Sequence, residues 1–358
     1  ILSSLSETPY ACGSLTRLSG GNVNFIYRGT LTKPFENGCS SVILKHSEER
    51  AAHVPDLDIP LIRCIAEQAV LKTLTTQCSG MIPLSGAKIR TPQLYHFDTQ
   101  SYTSVMEDFV DTMTLNCVLG AHEKLDSDSG ATLGNAVGGW LRAFHENMQP
   151  DLDMAIIGEY SKLLRVRSVV WYFRNFTNTA QRLLDLPEHD KIILKEYTRK
   201  FVVEELLRRD DRGWGIINAD FSTRNILVSK SQTSEGQNPD LGIVDWESCQ
   251  YGSHMQDLGR IIADLHIIHA LIDNELCISM AQAIFKGYGE VNEAESFRLA
   301  VYIGGFLLNM ETLVENFDKI DNERKKALAV CARDIFVKAC EKDRKWFETS
   351  ILAYLFTG

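Results

Sequence analysis

The stretch Gly213–Lys230, GWGIINADFSTRNILVSK, constrains this chain more than any other. An apolar run leads into Asp220, Asn225 follows five residues later, and Ile226-Leu227-Val228 begins a second apolar run. A turn between two strands needs no carboxylate and carboxamide at that spacing. A site that holds a metal ion and takes a proton from a hydroxyl does. Twenty residues past Asn225, IVDWE places Asp245 after another apolar strand. One carboxylate to accept a proton, with an amide oxygen and a second carboxylate for a cation, is the set that phosphoryl transfer requires. All are hard oxygen donors, which suit Mg²⁺ and not a thiolate- or imidazole-preferring metal. The D-x-x-x-x-N spacing is that of a kinase catalytic loop.

Two further elements complete such a set. Lys45 ends the apolar strand SVILKH, and Glu67 lies on the first helix after it. A strand lysine paired with a helix glutamate can hold nucleotide phosphates. SGGNVN (19–24) puts Gly20, Gly21 and Asn22 at a hairpin tip, where backbone N–H groups can approach an anion without a Cβ in the way. Neither G-K-S/T nor a full G-x-G-x-x-G accompanies it.

The surrounding pattern predicts a β-rich first part. Strands are expected at 15–31 as a hairpin, at 40–46, and twice within 91–109, with a helix over 61–77. Beyond residue 109 the periodicity turns helical at 130–148 and 189–209. Residues 213–230 and 240–248 read as paired short strands, and from 255 onward nearly everything reads as helix. The chain of 358 residues therefore divides into a nucleotide-binding lobe, 1–109, and a catalytic and substrate lobe, 110–358, with a hinge near 106–111. The fold class is α+β.

Composition narrows the partners. A net charge of −10 argues against a nucleic-acid partner, which needs a basic face. The apolar run 299–308 is too short to span a bilayer, so it is expected as a buried helix and no membrane partner is expected. Nine cysteines at irregular spacing, without C-x-x-C, read as buried free thiols in a reducing compartment. A cytoplasmic protein, monomer or homodimer, is the expectation.

These motifs resemble the aminoglycoside phosphotransferase and choline kinase-like superfamily, which has the bilobal protein-kinase-like fold. Within it the chain is most similar to the methylthioribose kinase branch, including its fungal 4-hydroxytryptamine kinase relatives. The resemblance runs through RLSGGNVNFIYR, VILKH, AEQAVLKTL, VMEDF, GGWLRAFHENM, NADFSTRNILV and VDWESCQYGSHMQDLG. It implies ATP and Mg²⁺ as cofactors and a small molecule with a hydroxyl acceptor as substrate, polar and amine-bearing. It implies that Gly20, Gly21 and Asn22 cover the phosphates, that Lys45 contacts them and pairs with Glu67, and that the Met106, Glu107, Asp108 and Phe109 backbone meets adenine. Asp220 becomes the catalytic base, Asn225 and Asp245 the metal ligands with Glu247 assisting, and Asp257 a brace for the loop. One departure stands out: Asn218 occupies the place where the family has histidine, and is expected to donate a substitute hydrogen bond. The alternative is a catalytically silent nucleotide- or metabolite-binding protein. Histidines 145, 266 and 269 read as structural.

Overall fold

The computed structural model describes residues 2–18, 23–50, 52, 59–77, 88–120, 127–148, 155–208, 213–230, 240–308 and 317–357. A short helix α1 (Leu2–Leu5) precedes β1 (Cys12–Arg17), β2 (Phe25–Leu31) and β3 (Ser41–His46). Helix α2 (Ile62–Gln77), β4 (Lys88–Arg90), β5 (Leu94–Asp98) and β6 (Thr103–Glu107) follow. Five of these strands form an antiparallel sheet in the order β1-β2-β3-β6-β5. Side chains alternate across a strand, and β3 uses both faces. Val42 and Leu44 pack with Leu5, Leu31 and Val105 in a small core, while Lys45 turns to the opposite face and reaches α2.

The end of β6 and the turn after it are tied down by charged side chains. Arg28 on β2 donates from Nε and Nη2 to both carboxylate oxygens of Asp108, at 2.7 and 2.9 Å, and Ser41 Oγ donates to Oδ2 at 2.6 Å. Glu107 pairs with Arg90, whose guanidinium lies 4.4 Å from the centre of the Phe109 ring. The Phe109 ring in turn lies over Gly242, where a Cβ would collide with it.

The second part begins with β7 (Thr112–Thr114) and helices α3 (Leu115–Gly120), α4 (Ser127–Asn147), α5 (Ala155–Leu183) and α6 (Glu188–Leu207). Then come β8 (Trp214–Ile217), β9 (Ile226–Ser229), β10 (Asp240–Ile243) and β11 (Gln250–Ser253). Helices α7 (His254–Ile272), α8 (Leu276–Tyr288), α9 (Glu293–Phe306), α10 (Asn322–Glu341) and α11 (Arg344–Phe347) complete it. The 299–308 run is buried, as expected, and most of it lies in α9. Helix α7 is the central post, apolar or paired on nearly every side. Helices α4 and α8 touch backbone to backbone: a Cβ on Gly138 would strike the Ile284 carbonyl, and one on Gly134 the Met280 carbonyl.

Three features depart from the sequence pattern. The strand before Asp220, β8, pairs with β11, while β9 pairs with β10. Both flank the same loop, but the loop bridges two sheets instead of turning one hairpin. Strand β4, from the first hundred residues, runs parallel to β10 in the sheet β4-β10-β9-β7. Helix α5 has no counterpart among the elements expected from the sequence, although Val169, Phe173, Phe176 and Ala180 follow helical spacing and are buried.

Candidate active site

Strand β8 delivers the chain into a loop held from below by α7. The backbone N–H groups of Asn218 and Ala219 donate to the two oxygens of Asp257, each at 2.8 Å. Ala219 takes a left-handed φ of 65° to make this possible, and Asp245 takes φ 63°. Such values are uncommon outside glycine, and persist where surrounding bonds over-determine the backbone. Two turns along α7, Asp264 accepts the Thr223 backbone N–H at 3.0 Å and the Thr223 hydroxyl at 3.2 Å, and pairs with Arg260 at 3.2 Å. One helix face thus holds both ends of the loop through buried carboxylates.

Asn218 is fully buried and makes the substitute bond expected of it. Its Nδ2 donates to the Asp245 carbonyl at 3.2 Å, and its Oδ1 accepts the Asp220 N–H at 3.0 Å. One amide therefore ties the backbone of Asp220 to that of Asp245. Asn225 Nδ2 donates to the Asp220 carbonyl at 2.9 Å and to Asp220 Oδ2 at 3.2 Å, which leaves Asn225 Oδ1 as an open acceptor. The Val244 N–H donates to the Asn225 carbonyl at 3.0 Å. Burial raises the Asp220 carboxyl above the usual carboxylate range, and the charges of Arg260 and Arg224 oppose that rise.

Beneath Asp257 lies a buried aromatic pair. His145 Nε2 is 3.2 Å from Asp257 Oδ2 and His145 Nδ1 is 2.9 Å from the Tyr288 hydroxyl. His254 stacks on His145 with ring centres 4.2 Å apart. Burial pushes both imidazoles down to about 3 and the Asp257 carboxyl up to about 7, the latter against its two N–H bonds. Neutral His145 is therefore a packing and bracing residue, as read from sequence. His266, also buried, meets the Tyr354 hydroxyl at 3.3 Å.

The second cluster centres on Lys45. Its Nζ donates to Glu67 Oε1 at 2.9 Å and Asp245 Oδ1 at 2.7 Å, and lies 3.6 Å from Glu247 Oε2. Burial disfavours the ammonium, but Asp245, Glu247 and Glu67 outweigh it and hold Lys45 well above its ordinary range. Glu67 Oε1 also accepts the Trp246 N–H at 3.1 Å, so α2 grips the backbone between Asp245 and Glu247. Four residues before Glu67, Arg63 presents the opposite charge on the same helix face. It lies 3.5 Å from Glu247 Oε2 and donates to Asn24 Oδ1 at 3.0 Å. Asn24 accepts from Ser47 at 2.8 Å and donates from Nδ2 to Glu247. Burial raises Glu247 to about 7, and Lys45 acts against it.

The oxygens on offer fit a divalent cation. Asn225 Oδ1, Asp245 and Glu247 are hard donors, and Asp245 and Glu247 already surround one cation, the Lys45 ammonium. Among the described residues no three His, Cys, Asp or Glu side chains form a ready-made metal cage. A Mg²⁺ site of one or two carboxylates commonly takes its remaining ligands from phosphates and water. Gly20, Gly21 and Asn22 lie outside the described residues. Met106 and Glu107 end β6 and Asp108 and Phe109 follow it, with the side chains of Glu107 and Asp108 engaged by arginines.

The profile of the phosphotransferase enzyme family matches residues 81–300, more than half of the chain. The chain belongs to that family. It is a small-molecule kinase by that membership. Phosphotransferase FrzJ of a Cladobotryum species is 28% identical, over 99% of this chain and 95% of the relative. The 4-hydroxytryptamine kinase of Psilocybe cyanescens is 25% identical, over 96% of this chain and 92% of the relative. Amicoumacin kinase hAmiN, solved in complex with AMP-PNP, Ca²⁺ and Ami, shares the fold with a TM-score of 0.51. That match covers 98% of this chain and 92% of that one at 13% identity. No described helix is long and apolar enough to cross a membrane. The eight described cysteines are free thiols, but only Cys64, Cys249 and Cys277 are buried as expected, and Cys117 is exposed.

Sequence reasoning overlooked Asn24, Arg63, Arg224, Arg260 and Asp264. Signals existed for three of them. Arg63 precedes Glu67 by one helical turn, Asp264 follows Asp257 by two, and Arg224 directly precedes Asn225.

Proposed function

We propose that this protein is an ATP-dependent O-kinase that phosphorylates a hydroxyl of a small, amine-bearing metabolite. One observation carries the reading. Asp220, Asn225, Asp245, Lys45 and Glu67, scattered over two hundred positions of sequence, are joined in one hydrogen-bonded set. Bound Mg²⁺ supplies charge neutralisation at the phosphates, with Asn225, Asp245 and Glu247 to hold it. Lys45 binds the phosphates and is oriented by Glu67. Asp220 orients the acceptor hydroxyl and takes its proton. Asn218 keeps base and metal ligand in register. Positioning and electrostatics are the main contributions a protein makes to this reaction.

The amine is supported by the net charge of −10 and by relatives named for 4-hydroxytryptamine. The test is to supply ATP, Mg²⁺ and a panel of aminoalcohols and hydroxyaryl amines, and to look for phosphate monoesters by mass spectrometry. Asp220→Asn should lower kcat by about a thousandfold while binding nucleotide like the parent. Undiminished turnover in that variant removes Asp220 from its role. Nucleotide binding with neither ATP consumption nor any phosphorylated acceptor favours the silent binding protein.

A further inference from the structure

We propose that Asn24 is a positioning residue for the metal side of the site, where its amide holds Glu247 in the orientation that takes a divalent cation. The proposal rests on the phosphotransfer reading above. Asn24 stands directly before β2, is buried, and meets Glu247 across 223 positions of sequence. The direction of its amide follows from its partners. Arg63 Nη2 donates to Asn24 Oδ1 at 3.0 Å, and Ser47 Oγ donates to the same oxygen at 2.8 Å. A guanidinium can only donate, so the amide oxygen must face Arg63 and the NH₂ group must face away from it. On that other side Glu247 Oε2 accepts from Nδ2. Both anchors are fixed in turn. Arg63 also donates to the Ile59, Pro60 and Glu48 carbonyls, and the Ser47 N–H donates to the Tyr102 carbonyl at 3.1 Å.

The tether engages one carboxylate oxygen and spares the other. Lys45 Nζ at 3.6 Å and Arg63 Nε at 3.5 Å also approach Oε2. Among the described residues none donates a hydrogen bond to Oε1, and 11% of the Glu247 side chain stays exposed. Of the groups at Oε2, Asn24 is the one that hydrogen-bonds it and the one without charge. In phosphotransfer Lys45 turns to the phosphates, and its hold on Glu247 weakens. A neutral amide is drawn to neither phosphate nor cation by charge, so Asn24 keeps Oε2 engaged and leaves Oε1 for the metal. Without it the glutamate regains rotamer freedom that must be given up again when the cation binds. Carboxylates that bind metals are commonly oriented by such hydrogen bonds, whose loss weakens the metal by tenfold or more.

The experiment follows ADP binding by calorimetry on the full chain, in EDTA and over a Mg²⁺ titration. It compares the parent with Asn24→Ala, Ser47→Ala, Glu247→Gln and the double variant of Asn24→Ala with Glu247→Gln. Asn24→Ala should raise the Mg²⁺ concentration for half-maximal ADP binding about tenfold, with the Kd for ADP in EDTA within about threefold of the parent. Ser47→Ala removes one anchor of the amide and should raise that concentration about threefold. On top of Glu247→Gln, Asn24→Ala should add less than about twofold, because both act through one carboxylate. An unchanged Mg²⁺ requirement in Asn24→Ala, beside a parent that needs Mg²⁺, overturns the role of Asn24 and leaves the kinase reading intact. If Asn24→Ala does not fold, Ser47→Ala stands in for it, and an unchanged requirement there overturns the role equally. Effects of Asn24→Ala and Glu247→Gln that multiply, or an equal loss of ADP affinity in EDTA, mark a structural part and also overturn it. A parent whose ADP binding ignores Mg²⁺ and which transfers no phosphoryl group removes the phosphotransfer reading itself.

Discussion

The two halves of the site are held by opposite means. The loop carrying Asp220 hangs from α7 by backbone N–H groups, with Asp257 at one end and Asp264 at the other. Nothing a ligand brings competes for those bonds. Around Lys45 the partners are charges holding one another: Glu67, Asp245, Glu247 and, beyond them, Arg63. An arriving phosphate or cation competes directly for each. On the proposed reading, the acceptor side is therefore built in advance, while the nucleotide side is balanced so that its own contacts exchange for those of the ligand. Preorganisation at the base and exchange at the phosphates follow from which groups, backbone or charge, do the holding.

Arg63 gives the largest expected break in this contrast. Its guanidinium bonds Asn24, the Glu48, Ile59 and Pro60 carbonyls, and neighbours Glu247, all while buried. Arg63→Met leaves Glu247 without that partner and should destabilise the fold by about 3 kcal/mol. Urea unfolding measures it, and the Mg²⁺ concentration needed for half-maximal nucleotide binding should rise in the same variant. A loss under about 1 kcal/mol would mean that Lys45 and Asn24 suffice to steady Glu247.

Asn218 sharpens the other half. Asn218→Ala removes one donor and one acceptor that join Asp220 to Asp245, and should lower kcat about tenfold without affecting nucleotide binding. Asn218→His should restore most of the rate, because the Asp245 carbonyl needs only a donor. If alanine is harmless, α7 by itself fixes the loop.

The smallest effect at neutral pH belongs to His254. Burial holds His145 and His254 neutral to about pH 3, whereas in the unfolded chain each takes a proton near 6.5. The unfolded state then binds more protons, so their contribution is complete above pH 6.5 and is lost as pH falls towards 3. Asp257, raised to about 7, acts in the opposite sense, its contribution fading as pH climbs through 7. The comparison is therefore between variant and parent. His254→Phe should lessen the acid loss of stability by up to about 1 kcal/mol between pH 6.5 and 5, read from urea midpoints. An unchanged acid limb would put His254 in its charged form.

Much of this was legible in advance, and the gaps have physical causes. Lys45, Glu67, Asp220, Asn225 and Asp245 announce themselves because each must be one residue type at one spacing. Strand β3 announces itself through the alternation of Val42 and Leu44, both buried. Arg63 and Asp264 stay hidden because their partners, Glu247 and Thr223, lie far away in sequence and come near only through helix packing. Helix α5 stays hidden because one face packs on β11, where Ser161 receives the Tyr251 N–H and Ser168 the Gln250 amide, so polar residues occupy its contact side.

Strand β4 has a consequence of another kind. Residues 88–90 pair with 240–242, some hundred and fifty positions away, so the second sheet cannot finish assembling until most of the chain has been made. A cut after residue 109 would separate that edge strand from the sheet it completes, so any attempt to express residues 110–358 alone must bring residues 88–90 with it.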